Sequence, residues 1–75
     1  MKTTIGTAWQ AFTDGENNAI MSHEGRVLLY IGDAEPTPAD SGIMFNNEKI
    51  EVGAPAMSWI RSADNRPVDA VIFTY

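Results

Sequence analysis

Apolar and polar positions alternate over short stretches of this chain, and turn residues interrupt the stretches every few positions. A period of two belongs to strands, because successive side chains of a strand point to opposite faces. The expected strands are residues 8–12, 19–22, 26–32, 43–45, 49–52, 56–61 and 68–75. Clusters of Gly, Asn, Asp and Pro separate them, supplying positive φ or removing a backbone donor. Helix is not expected: no window keeps apolar residues at three-and-four spacing for more than a few positions without Gly or Pro. A single turn at 37–40 is the one helical candidate. The pattern predicts one all-β domain over residues 1–75, a compact antiparallel β-sandwich or small barrel of about seven short strands. Two hairpins are expected. One joins 19–22 to 26–32 through His23-Glu24-Gly25; the other, a tight one, joins 43–45 to 49–52 through Asn46-Asn47-Glu48.

The clearest strand, Arg26-Val27-Leu28-Leu29-Tyr30-Ile31-Gly32, is apolar on both faces. Val27, Leu29 and Ile31 share one face, Leu28 and Tyr30 the other. A 75-residue chain has little material to cover a second apolar face, since a domain of this size buries only roughly 60% of the surface its unfolded chain exposes. The second face therefore asks for another sheet, another subunit or a larger assembly. The 68–75 strand repeats the feature, with Val71, Phe73 and Tyr75 on one face and Ala70, Ile72 and Thr74 on the other. The expected core residues are Val27, Leu29, Ile31, Trp59 and Phe73. Leu28, Tyr30, Ile72 and Thr74 are the candidates to meet a neighbour, with Tyr75 beside them, and Tyr30→Asp is expected to dissociate the assembly. Arg61 is in phase with Trp59 and Met57 and suits an interface anchor, since Arg and Trp are enriched at hot spots; a solvated strand end is the competing reading.

Charge and composition narrow the partners. Five basic residues against ten acidic ones give a net charge of −5, which weakens nonspecific contact with nucleic acid. No two of Lys2, Arg26, Lys49, Arg61 and Arg66 are adjacent, so no phosphate-tracking groove is expected. The longest run of large apolar residues, 27–31, is far short of a membrane span. Met1 to Thr7 lacks the apolar core of a signal peptide, and synthesis in the cytoplasm is the expectation. With no cysteine and one histidine, disulfides, thiolate ligands and His-rich zinc sites are out of reach. Oligomerisation is the remaining common route by which so small a fold gains stability.

The chemistry assigns no catalytic, cofactor or metal residue. Ser22-His23-Glu24 holds the residue types of a nucleophilic triad, but consecutive strand residues point apart. Asp33, Glu35 and Asp40 stand on a ten-residue loop, 33–42, with two prolines. They offer oxygen ligands without the spacing of a calcium loop, and a solvated acidic crossover is the simpler reading. Trp9, Tyr30, Trp59 and Tyr75 could form an aromatic platform for sugars or bases; the competing and preferred reading makes Trp9 and Trp59 core anchors.

Three segments taken together, Leu29-Tyr30-Ile31-Gly32-Asp33-Ala34-Glu35-Pro36, Ser41-Gly42-Ile43-Met44-Phe45 and Trp59-Ile60-Arg61-Ser62, resemble small β-rich structural modules of tailed bacteriophages. Capsid decoration (cement) proteins, head fibres and fibre-tip domains are of this kind. The resemblance spans residues 26–75 and carries no catalytic residue. It implies a non-enzymatic virion protein, made in the bacterial host cytoplasm, that acts as a homo-oligomer, with a trimer favoured. Its partners would be other virion proteins, with no cofactor, nucleic acid or membrane. The alternative expectation is a monomeric binding module that recognises a glycan or a protein surface through Trp9, Trp59 or the acidic loop.

Overall fold

The computed structural model describes residues 2–22, 25–46 and 48–75. These form eight strands and no helix: β1 (Lys2–Ile5), β2 (Gln10–Asp14), β3 (Asn18–Ser22), β4 (Val27–Ile31), β5 (Ile43–Phe45), β6 (Lys49–Val52), β7 (Met57–Ser62) and β8 (Val68–Thr74). They build two four-stranded antiparallel sheets, one ordered β1-β8-β3-β6 and the other β2-β7-β4-β5. The fold is all-β and consistent with a small β-sandwich, as the alternation predicts. β1 was not anticipated, because Lys2-Thr3-Thr4-Ile5 carries a single large apolar residue. The register shifts between Ala11 and Thr13 where β2 pairs with β7, marking a β-bulge.

Both expected hairpins are overturned. β3 and β4 lie in different sheets, as do β5 and β6. The chain therefore passes from one sheet to the other between β3 and β4, and again between β5 and β6. Residues 23, 24 and 47 themselves lie outside the described residues. Gly25 does take positive φ, 100°. Only β4 and β5, joined by the proline-containing loop, are consecutive in sequence and hydrogen-bonded to each other.

The core lies between the sheets. Ile5, Phe12, Ile20, Val27, Leu29, Phe45, Val52, Ile60, Val68 and Ala70 are buried there, and Ile50, Ala56 and Ile72 pack against them. Directly paired residues share a face, so the register places Ile20, Ile50 and Ile72 in one inward row. This reverses the expected phase of β8. Ile72 faces the core, whereas Phe73 is 38% exposed on the outer face. Both faces of that strand are apolar, so polarity could not tell them apart. Of the other expected core residues, Val27 and Leu29 are buried, while Ile31 is 54% exposed at the end of β4. Trp59 is buried, but on the outer face of its sheet.

The buried hydroxyls have partners. Thr13 Oγ1 donates to the Ala56 carbonyl (3.0 Å) and so accepts from Ser58 Oγ (2.6 Å). Ser62 Oγ donates to the Arg66 carbonyl (2.6 Å) and accepts from Asp64 N–H (3.1 Å), shaping the β7–β8 turn. Ser22 Oγ donates to the Gly25 carbonyl (2.7 Å).

Candidate functional site

The outer face of the β2-β7-β4-β5 sheet carries most of the residues singled out from sequence. Cross-strand pairing puts Ala11, Trp59 and Tyr30 in one row, and Arg61, Leu28 and Met44 in the next. Tyr30 meets Trp59 edge-on with ring centroids 6.3 Å apart. It meets Trp9, which precedes β2, in the same way at 6.0 Å. The Arg61 guanidinium carbon sits 5.1 Å from the centre of the Trp9 ring, a cation–π contact worth about 0.5–2 kcal/mol. Arg61 Nη1 donates to the Ser62 carbonyl (3.3 Å), while its buried Nε has no hydrogen-bond partner.

The acidic loop folds back toward this aromatic row. Trp9 Nε1–H donates to the Thr37 carbonyl (3.0 Å), and Pro36 is buried. The single turn expected at 37–40 is present: Asp40 N–H donates to the Thr37 carbonyl (3.0 Å). The Asp40 carboxylate accepts from Thr37 N–H (2.8 Å) and Thr37 Oγ1 (3.2 Å). Loop and aromatics enclose an open hollow of about 400 Å³ lined by Thr7, Trp9, Glu35, Pro36, Pro38 and Arg61 among others. The chain thus supplies part of the cover that the second face of β4 requires. What the sequence treats as a solvated crossover is pinned to Trp9 by a side-chain donor 28 residues away.

Leu28, Tyr30 and Arg61 therefore share one surface, half-buried. Ile72 and Tyr75 do not join them. Ile72 packs on the core from the other sheet, which corrects its placement on an outward contact face. Tyr75 is 49% exposed beyond β8, its N–H donating to the Asn17 carbonyl (3.3 Å). Asp33, Glu35 and Asp40 do not gather: among the described residues no three His, Asp or Glu come together. Ser22 is committed to its own turn, and His23 and Glu24 lie outside the described residues.

Sequence reasoning missed the surface at the β5 edge. Ile43 is 63% exposed and Met44 54%, with Ile31 nearby on the neighbouring strand. Ile31 also lines a second hollow of about 360 Å³ with Gly32, Asp33, Pro55, Ala56 and Met57. The available signal was the absence of charge in Ser41-Gly42-Ile43-Met44-Phe45-Asn46. At the far end of β4, Arg26 grips Asp64 through Nη2 (2.8 Å) and Nε (3.0 Å). Its backbone N–H adds a third bond (3.2 Å). These bonds hold the Asp64 carboxyl below its usual pKa.

In comparison with known proteins, no family model, no curated protein and no solved structure matches this chain.

Proposed function

We propose that this protein is a non-enzymatic structural module that acts by self-assembly and contact with a larger particle. The resemblance of residues 26–75 to tailed-phage modules makes that particle a virion, assembled in the bacterial host, with other virion proteins as partners and three copies as the favoured number. The observation that carries the reading is the exposure of large apolar side chains at one end of a sheet, Ile31 and Ile43 in phase with its inner face and Met44 on its outer face. Three large aliphatic side chains more than half exposed on a domain of 75 residues are costly in water and suited to contact. The test is solution mass by light scattering coupled to size exclusion, across a tenfold dilution. An oligomer supports assembly, and co-purification with particles supports the virion assignment. A monomer at every concentration sinks the assembly reading.

A second reading, a monomeric binding module for a glycan or protein surface, is favoured by the hollow beside Trp9. Its size lies within the range of about 300–1,000 Å³ that small-ligand sites occupy, and it is walled by Trp9, two prolines and Arg61. That reading expects a monomer whose tryptophan emission shifts on titration with a ligand.

A further inference from the structure

We infer that the free edge of β5 is where two copies of this chain meet, strand against strand, in an antiparallel two-fold pair. The inference rests on the self-assembly part of the reading above, names the surface and the partner, and replaces the three copies favoured there with a two-fold pair.

An edge strand presents a row of unpaired backbone donors and acceptors, a template for another strand, and native sheets blunt such edges with charges, prolines or bulges. The two sheets have four edges: β1, β6, β2 and β5. β1 carries Lys2, whose side chain is 77% exposed. β6 carries Lys49 and Glu51, both about half exposed. β2 is broken by its bulge at 11–13. β5 has none of these devices. Residues 41–46 contain no charge and no proline, and two of the three strand residues expose large apolar side chains. Its one restraint is length, since three residues offer few backbone bonds. The contact is accordingly modest and concentration-dependent, below the roughly 1,200 Å² at which standard stable interfaces begin.

The donors and acceptors lie along an extended strand, so the occupant is itself a strand. A second copy fits for two reasons. An antiparallel pair of identical strands satisfies a two-fold axis: where a residue of one strand meets a second residue of the other, the reciprocal contact is made as well, and only a residue on the axis meets its own counterpart. The chain carries a net charge of −5, which repels copies over most of the surface, whereas the neutral 41–46 segment brings no like charges together. With the axis at Met44, pairing would bury Met44 against its counterpart on one face, cover Ile43 on the other face, and join two four-stranded sheets into one of eight.

The experiment uses the full chain at its highest soluble concentration, with mass from light scattering, beside Ile43→Lys and Met44→Lys. The expected result is twice the 8.2 kDa chain mass. The lysine variants should dimerise at least tenfold more weakly, with unchanged circular dichroism and melting. A third variant, Met44→Cys, gives a second readout that does not depend on how the lysine variants fold. The native chain has no cysteine, so a disulfide-linked dimer under mild oxidation reports proximity across the axis. A trimer overturns the two-fold edge while sparing the assembly reading, and a monomer overturns both. A dimer that persists undiminished in both lysine variants, with no cross-link through Cys at 44, places the interface elsewhere and overturns the inference alone.

Discussion

Gly25 combines two constraints at a single position, a backbone angle and a close approach. It sits where the chain leaves β3 for β4 with φ at 100°, a region that costs an L-residue roughly 1–2 kcal/mol. A β-carbon there would also run into Val68 Cγ1 of β8. Gly25→Ala is expected to destabilise the fold by about 2–4 kcal/mol, backbone strain and overpacking together, read as a lower urea midpoint. The Thr13–Ser58 hydroxyl pair gives a second test at this scale. Thr13→Val removes the acceptor of a buried Ser58 hydroxyl and should cost about 1–3 kcal/mol. Adding Ser58→Ala should recover part of that loss, because two matched apolar groups leave no donor unpaired. A loss in the double variant equal to the sum of the two single losses would show that the pair is not coupled. Neither role is legible from sequence, since Thr and Ser alternating with apolar residues read as ordinary strand.

At the scale of elements, the proline-containing loop and the β7–β8 turn do the fastening. Trp9→Phe keeps an aromatic ring and deletes the donor to Thr37, so hydrogen exchange over residues 36–40 should accelerate, with stability falling about 0.5–1.5 kcal/mol. Unchanged exchange would mean that the Asp40 turn holds the loop by itself. The same geometry changes what Tyr30→Asp reports. Tyr30 stands between Trp9 and Trp59, so a charge there unpacks the aromatic row of the chain's own fold before it touches any neighbour. The Arg26–Asp64 link fastens the start of β4 to the β7–β8 turn and makes a pH prediction. The folded carboxyl has a lowered pKa. The stability it adds is therefore present above the ordinary carboxylate value of about 3.9 and lost as pH falls through the lower folded value. Asp64→Asn should lower the urea midpoint at neutral pH and flatten the decline below pH about 4. A parallel decline in both proteins would assign the acid sensitivity to other groups.

The whole molecule is organised by connections that change sheets. Of the seven links between the eight strands, six cross the sandwich and only β4–β5 stays within one sheet. Every other hydrogen-bonded pair joins strands distant in sequence, such as β1 with β8, where Ile5 pairs with Val68 and Lys2 with Val71. Folding that waits on such pairings is slow for its size, and refolding from urea is expected in milliseconds to seconds. A microsecond phase carrying the full native signal would contradict that. The same topology decides which strands are edges and leaves β5 with an uncharged free side.

The alternation of Val27, Leu29 and their neighbours sufficed to determine an all-β fold, and Pro36, Pro38 and Gly42 sufficed to mark the irregular loop, because side-chain period and backbone restriction are local properties. Phase likewise put Leu28 with Tyr30 and Arg61 with Trp59, whereas the β4–β7 register brought the two pairs onto one face. Tertiary structure alone decided that β3 and β4 part to different sheets, that Ile72 turns inward and Phe73 outward, that Trp9 fastens the loop, and that Ile43 and Met44 stand on an open edge. These depend on which distant strand lies alongside. A strand apolar on both faces, as β4 and β8 are, carries no local mark of which face its neighbours will cover.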